Sequence, residues 1–227
     1  VAIDGDANLY ILDPEDLTKE TFVTNLGMQL TDLAYNPKDQ ELYGVNNDDQ
    51  LVRIDKFCGT AEVVGTIGDQ MGIVVNTLAC DSEGNFYTVS YGNGYANKPG
   101  IIFTFTLENM GKPKQVTRQG YFNNYLQTLE VNPNNGMLYW ASYYDTSTET
   151  QENYKGVLYE IDPKTGGITP LSDFQTQLTS LCIPEESSGG HWYDPTDEIS
   201  SMELNTEQIG LLSGTKYQLS ANVLPWT

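Results

Sequence analysis

The sequence predicts an all-β protein built from β-propeller blades, about four of them in this chain. A segment with a strand, a polar turn and a second strand carrying an aromatic residue occurs three times and begins a fourth time. Each full copy is followed by two further strand-like segments, so the repeating unit has four short antiparallel strands. Four-stranded units that recur every 40–50 residues or so are typical of propeller blades. A β-sandwich also has short strands and turns, but its sequence does not recur in this way.

The first half of the repeat is seen at residues 30–45, 75–89 and 126–141, with a partial copy at 178–184. The leucines that mark the same place in each copy are Leu33, Leu78, Leu129 and Leu181. The intervening turns open with Asn or Asp and carry Pro next or Gly late, as tight hairpins require. The second half of the repeat is seen at residues 8–14, 50–55 and 156–163, and in divergent form at 101–105.

The two ends of the repeat region carry incomplete units. Val1–Ile3 aligns with the tail of a second strand, so the N-terminus is expected to supply the last three strands of a blade. Leu178–Ile183 aligns with a first strand. Either the two ends complete one blade and close a ring of four, or the chain is part of a longer propeller. We favour closure, because it removes exposed sheet edges.

Three segments are expected along the chain. Residues 1–184 form the propeller, residues 185–197 have the composition of a linker, and residues 198–227 carry the first strands of a truncated second domain. The run Asp162-Pro163-Lys164-Thr165-Gly166 links two strands of a unit. In this respect the propeller region resembles bacterial YVTN- and NHL-like repeat proteins, a resemblance that implies architecture but no particular activity.

The C-terminal segment resembles the opening of a bacterial Ig-like domain of the Big-2 type. The family pattern "I-x-S-x-x-L", followed by "L-x-x-G-x-x-x-x-L-x-A-x-V-x-P", is present in order between Ile199 and Pro225. Such modules occur in surface proteins of bacteria, often in adhesins and carbohydrate-active proteins. The resemblance therefore implies that the protein is secreted or displayed at the cell surface.

The charge balance is strongly acidic, with 31 Asp and Glu against 11 Lys and Arg and a net charge of −20. This charge repels phosphate backbones and anionic lipid, so nucleic acid is not expected as a partner. The sequence has no apolar run long enough for a membrane span. Any signal peptide is expected outside this sequence, and we expect a monomer. The odd count of three cysteines does not indicate a disulfide framework.

Catalytic residues are not predicted. His191 is the only histidine and lies in the linker, so the blades hold no Ser-His-Asp triad and no histidine-based metal site. Asp4, Asp6 and Asn8 have a spacing that could supply oxygen ligands to calcium, but the downstream Glu of an EF-hand is missing. The alternative is that these residues simply form a turn. No other cofactor is expected.

Aromatic residues are expected to gather on one face of the propeller. Connections between the second and third strands share this face with the connections between blades, and we call it the loop face. The candidate ligand-binding residues on it are Tyr91, Tyr95, Tyr121, Phe122, Tyr125, Tyr143, Tyr144 and Tyr154. Tyrosine offers a flat apolar surface with a polar tip, and nearby Asn and Asp side chains add directed hydrogen bonds. The alternative is that several of these rings pack between blades.

Three functions are compatible with these features. The first is a non-catalytic binding or adhesion protein at the cell surface that recognises a carbohydrate or a protein through the loop face. The second is a metal-dependent propeller enzyme of the lactonase or lyase kind, with the metal held by carboxylates of the central channel. The third is a structural spacer in a multidomain surface protein.

Overall fold

Four antiparallel sheets follow one another along the chain, and each corresponds to one predicted blade. The computed structural model describes residues 2–13, 16–91, 100–118, 127–147, 151, 153–181 and 183. For Leu17 and Tyr91 it describes the backbone and not the side chain. Within these ranges the chain forms strands and no helix, so no helical segment there is suited to crossing a bilayer. The prediction of an all-β propeller with four blades is confirmed.

The strands are numbered in chain order. Blade 1 consists of β1 (Ala2–Ile3), β2 (Asn8–Asp13) and β3 (Asp16–Asn25). Blade 2 consists of β4 (Leu30–Asn36), β5 (Glu41–Asn46), β6 (Gln50–Ile54) and β7 (Ala61–Thr66). Blade 3 consists of β8 (Val74–Val75), β9 (Ala79–Cys80), β10 (Phe86–Tyr91), β11 (Gly100–Phe105) and β12 (Lys114–Gln115). Blade 4 consists of β13 (Thr128–Val131), β14 (Leu138–Asp145), β15 (Tyr154–Ile161) and β16 (Ile168–Phe174).

The innermost strand of blade 3 is interrupted, which the repeat alone does not predict. β8 and β9 both pair with β10, and Asn76–Leu78 separates them. In this gap the Thr77 hydroxyl accepts a hydrogen bond from the Val89 backbone N–H at 2.9 Å. A side-chain oxygen thus replaces a backbone carbonyl as the acceptor, and the ladder is broken at that point.

Alternate residues of each blade face opposite neighbours, because successive side chains of a strand point to opposite sides of the sheet. In β5, Leu42 packs with Leu9 in a cluster between blades 1 and 2. The next residue, Tyr43, packs against Phe86 in a second cluster between blades 2 and 3. A third cluster between blades 3 and 4 is centred on Trp140, which is fully buried. These three clusters are the core of the propeller.

The junction between blade 4 and blade 1 is different. Among the described residues, no buried apolar cluster joins these two blades. The face of blade 4 that is turned away from blade 3 presents half-buried side chains, among them Tyr139, Tyr143, Leu158 and Glu160. Three junctions are therefore sealed by apolar packing, whereas no such seal is described at the fourth.

The predicted first strand at Leu178–Ile183 is not formed as a strand in its described residues. Thr179, Ser180 and Leu181 nevertheless line the same cavity as Ala2 and Ile3 of β1. This placement agrees with the expected meeting of the two incomplete units, and strand pairing between them stays a prediction. The expected linker and C-terminal domain, residues 185–227, lie outside the described residues.

Replacing Trp140 tests the importance of packing between blades. The Trp140→Ala variant removes a buried ring that stacks on Tyr159 with centroids 5.3 Å apart, and it leaves the buried Gln127 side chain without the indole N–H that it accepts. We expect the free energy of unfolding to fall by about 3–5 kcal/mol, measured by urea denaturation. The control Phe57→Ala, at a ring that is 80% exposed, should change it by about 0.5 kcal/mol or less. Equal losses in the two variants would contradict this description of the core.

Candidate functional site

A cavity of about 580 Å³ lies where the innermost strands of the blades approach each other. Its wall includes residues from β1 and the turn after it, from β4, from β13 and from the segment Thr179–Leu181. Hydroxyl groups of Thr31, Thr128, Thr179 and Ser180 lie among these residues. The wall of the central cavity therefore combines polar and apolar groups in similar measure.

Two carboxyl groups on the wall of this cavity are half-buried. Asp32 lies in β4, where its Oδ2 accepts a hydrogen bond from the Leu78 N–H and its Oδ1 one from the Leu33 N–H, both at 2.9 Å. Burial raises the pKa of Asp32 to about 8, since these two hydrogen bonds offset only part of the loss of hydration. Glu130 lies in β13, and its Oε1 accepts a hydrogen bond from the Val131 N–H at 3.0 Å. Burial raises the pKa of Glu130 to about 6.

The cavity reaches the loop-face end of the blades. The β1–β2 turn and the β5–β6 turn are connections between second and third strands, so they belong to that face by topology. The first residues of the innermost strands, Leu30 and Thr128, lie at the same end of the blades. Gly5 of the β1–β2 turn, Leu30 and Thr128 all line the cavity. A ligand on the loop face would therefore lie next to a polar, acidic opening.

The structure describes three of the eight aromatic side chains predicted for the loop face. Tyr143, Tyr144 and Tyr154 are described, whereas Tyr91 is described only as the last backbone position of β10. Tyr95, Tyr121, Phe122 and Tyr125 lie outside the described residues. Tyr143, Tyr144 and Tyr154 belong to strands rather than to a loop, because β14 extends to Asp145 and β15 begins at Tyr154. The connecting loop is thus shorter than the sequence indicated.

Tyr143 and Tyr154 form a stacked pair at the loop-face end of blade 4. Their ring centroids are 6.0 Å apart and their planes differ by 7°. The pair is diagonal across the hairpin, since Tyr143 lies opposite Gly156 and Tyr154 lies opposite Asp145. The Tyr143 hydroxyl donates a hydrogen bond to the Gln175 carbonyl oxygen at 3.2 Å. A fixed, half-buried aromatic pair of this kind offers an apolar platform with polar groups at its edge.

Tyr144 lies on the opposite side of the sheet from this pair. Its ring packs against the buried cluster between blades 3 and 4. This arrangement is the one expected if a loop-face tyrosine packs between blades. Tyr144 therefore contributes to the core, and Tyr143 and Tyr154 are the described tyrosines that can meet a ligand.

The predicted calcium ligands form a turn in which one carboxylate accepts several hydrogen bonds. Asp4 Oδ1 accepts from the Asp6 N–H and the Asn8 N–H, both at 2.9 Å. Asp4 Oδ2 accepts from the Asn8 side-chain amide at 3.0 Å and from the Tyr10 hydroxyl at 3.2 Å. These hydrogen bonds, from Asn8 above all, lower the pKa of Asp4.

The equivalent turn of blade 2 has the same geometry without a carboxylate at its first position. Asn46 Oδ1 accepts from the Asp48 N–H and the Gln50 N–H at 3.0 and 2.9 Å. In each turn the fourth residue has a positive φ, +65° at Ala7 and +59° at Asp49. Turn formation thus accounts for the placement of Asp4, Asp6 and Asn8, and calcium binding there stays a prediction. In the described part of the chain, no three His, Cys, Asp or Glu side chains come together as metal ligands.

Glu130 is a residue of the cavity wall that was not predicted from the sequence. In the other two full copies of the repeat its place is taken by Ala34 and Ala79, which are buried in the clusters between blades, and in the partial copy by Cys182. The sequence signal for a special role at this position was an acidic residue where the other copies carry a small apolar one. Asp32 is a polar residue of an innermost strand, and its hydrogen bond to the next blade is a tertiary contact that the sequence does not reveal.

Comparisons with known proteins identify a family without a named activity. A family model described as "Repeat of unknown function (DUF6923)" matches residues 13–211. A comparison with curated proteins gives no match.

Solved structures with a similar fold include TolB from Acinetobacter baumannii, at 16% identity and a TM-score of 0.48 over 73% of this chain. A structural genomics protein of unknown function from Bacteroides thetaiotaomicron has 16% identity and a TM-score of 0.45 over 61% of this chain. An oligogalacturonate lyase from Vibrio parahaemolyticus has 9% identity and a TM-score of 0.37 over 73% of this chain. The chain spans 37%, 40% and 58% of these three proteins. The likenesses concern the fold and carry no information on activity.

Substitution of the two adjacent tyrosines of β14 tests their separate roles. Tyr144→Ala should lower the free energy of unfolding by about 2–3 kcal/mol, because it removes a ring that packs on the core. Tyr143→Ala should lower it by about 1 kcal/mol, because its half-buried ring packs on Tyr154 and its hydroxyl bonds the Gln175 carbonyl oxygen, both outside the buried clusters. Urea denaturation of the two variants gives both values. A larger loss for Tyr143→Ala would show that the two sides of blade 4 are wrongly assigned.

Proposed function

Since the chain belongs to the family described as a repeat of unknown function (DUF6923), a description that names no activity, we propose a function from the site alone. The protein is a non-catalytic binding module that takes a carbohydrate or a protein segment on the loop face. The observation that carries this proposal is the stacked pair Tyr143–Tyr154 at that face. Stacked tyrosines are suited to the flat apolar side of a sugar ring or to an apolar side chain of a protein.

The neighbourhood of the pair supports a polar ligand. Asp145, opposite Tyr154, is exposed and its carboxylate accepts a hydrogen bond from the Ser147 N–H at 2.7 Å. The central cavity adds the hydroxyl groups of Thr179 and Ser180, which are exposed. A carbohydrate presents both apolar ring faces and many hydroxyl groups, so this combination of platform and polar wall suits it.

We further propose that the protein acts outside the cell, by itself or as part of a longer surface protein. The support comes from the sequence: the acidic composition and the Big-2-like motif between Ile199 and Pro225. The likeness of the repeat to YVTN- and NHL-like propellers stays part of this proposal, since the family shown by comparison carries a different description.

Binding measurements with a matched control test the proposed site. Wild-type protein is applied to a glycan array and to immobilised bacterial and host surface proteins, and each hit is quantified by calorimetry. The Tyr143→Ala/Tyr154→Ala variant should bind at least about tenfold more weakly, since aromatic residues dominate the binding free energy of such contacts. The matched control is Tyr35→Ala/Phe57→Ala. It also removes two aromatic rings, but these are exposed, both contact Lys56, and lie at the end of blade 2 that is opposite to the loop face. This control should keep wild-type affinity.

Two results would contradict the proposal. Equal binding by wild type and the Tyr143→Ala/Tyr154→Ala variant would place the ligand elsewhere. Absence of any ligand, with all three proteins folded as judged by their urea transitions, would favour a spacer. Turnover of a bound glycan with added divalent metal would instead favour the enzyme alternative.

A further inference from the structure

The junctions between blades are sealed by residues at repeating positions. On the side of a blade that faces the next blade, the second strand carries a tyrosine and the third strand a branched apolar residue. In blades 2 and 3 these residues are buried in the cluster of the following junction; they are Tyr43, Leu51, Tyr87 and Ile102. In blade 4 the same positions hold Tyr139 and Leu158, and both are only half-buried. This side of blade 4, which we call its open side, thus carries junction-sealing residues that no described cluster covers.

The hydroxyl group of the repeated tyrosine is bound within its own blade. In blade 2, Tyr43 donates a hydrogen bond to Asp39 Oδ2 at 2.9 Å. In blade 4, Tyr139 donates in the same way to Glu160 Oε2 at 2.6 Å. Because the polar tip already has an acceptor, a neighbouring blade can cover the ring without the loss of a hydrogen bond. The open side of blade 4 is therefore suited to burial.

Blade 1 carries the opposite half of such a junction. On the side that faces the previous blade, the third strand has two apolar residues two positions apart, and in blades 2, 3 and 4 these residues are buried. They are Val52 and Ile54, Phe103 and Phe105, and Tyr159 and Ile161. In blade 1 the same positions hold Tyr10 and Leu12, and both are half-buried. Blade 1 thus presents the kind of surface that each other blade buries against the blade before it.

These two surfaces do not seal each other within one copy. Blades 4 and 1 approach at the central cavity, whose wall includes Ala2 and Ile3 of β1 and Thr128 of β13. In the described ranges no buried apolar cluster joins the two blades. A blade of the same repeat matches each surface, because the contact is then the one that is already buried at the three sealed junctions. A second copy of the chain brings both matching surfaces.

We propose that blade 4 of this protein packs against blade 1 of a second copy. The contact joins two different surfaces, so a two-fold pair forms it twice and leaves neither surface open. Leu158 then meets Leu12 of the other copy, as Leu9 meets Ile54 in the cluster between blades 1 and 2. This dimer differs from the monomer expected from the sequence.

The dimer contact is separate from the ligand site proposed on the loop face. In blade 2 the place of Tyr143 is taken by Asn47, which is exposed in the β5–β6 turn beyond the sealed junction. The stacked pair Tyr143–Tyr154 therefore lies past the end of the contact, where the hairpin of blade 4 is longer. Association of two copies and ligand binding at the pair are thus distinct properties.

The margins of the contact are acidic. Glu130 and Glu160 both lie opposite Tyr139 in the sheet, on the open side of blade 4. In blade 1, Glu20 lies opposite Leu12. These carboxylates repel each other across the contact, and each copy has a net charge of −20. Because salt screens this repulsion and leaves apolar packing in place, the dimer should become stronger as salt is added.

Sedimentation equilibrium of the full chain over a range of concentrations tests the proposal. The wild type should form a dimer. Leu158→Glu and Leu12→Glu each place a charge in the apolar contact and should weaken the dimer at least about tenfold. The matched control is Ile11→Glu, because Ile11 is the exposed neighbour of Leu12 on the other side of the same strand. This control should keep the association of the wild type, and the urea transition of each variant shows whether it is folded.

A mixture of the two contact variants separates loss of the contact from damage to the fold. Each contact pairs residue 158 of one copy with residue 12 of the other. A mixed dimer of Leu158→Glu with Leu12→Glu therefore has one contact with both substitutions and one with neither. The mixture should associate more strongly than either variant alone.

Three results would overturn the proposal. The first is a wild type that stays monomeric at every concentration, or a dimer that weakens as salt is added. The second is an equal loss of association in Ile11→Glu and Leu12→Glu. The third is a mixture of Leu158→Glu and Leu12→Glu that associates no better than its components.

Discussion

Packing between neighbouring blades through alternate residues is the constraint on which the rest of this structure depends. Each sheet is too small to bury its apolar side chains alone, so it must present one set of alternate residues to the blade before it and the other set to the blade after it. The consecutive residues Leu42 and Tyr43 illustrate this, since they belong to two different clusters. A shift of one residue in any strand would exchange the two sets and disrupt two junctions together.

Because of this constraint, residues that bind a ligand or bear a charge are best accommodated at the centre of the ring and at the ends of the blades. Positions buried between sheets are mostly apolar and of matching size, whereas innermost residues face a cavity and residues at strand ends face solvent. The two carboxyl groups of the cavity and the stacked pair Tyr143–Tyr154 occupy these freer places. Substitutions there change charge and surface while the three sealed junctions keep the blades in register.

The architecture was predictable from the sequence because the repeat itself carries it. Recurrent leucines and turn residues define where each blade begins, and even the three-stranded first blade follows from aligning Ile3 with Val45. The site was less predictable. Tyr143 and Tyr144 are adjacent and chemically identical, yet one stacks on Tyr154 and the other packs on the core, a distinction that depends on how far β14 extends. The placement of Glu130 on the wall of the cavity depends on how the blades come together, which a single copy of the repeat does not reveal.

The turns have a consequence for how the charge of this protein can vary. Asp4 and Asn46 support equivalent turns through the same acceptor pattern, and Asp81 does so again by accepting from Glu83 and Asn85. The second atom of the side chain differs between the turns. Asp4 Oδ2 accepts from the side-chain amide of Asn8, whereas the Asn46 amide group donates to the side-chain oxygen of Gln50. An exchange of Asp and Asn at the first position therefore needs a matching exchange of donor and acceptor four residues later, so the charge of these turns can change only through paired substitutions.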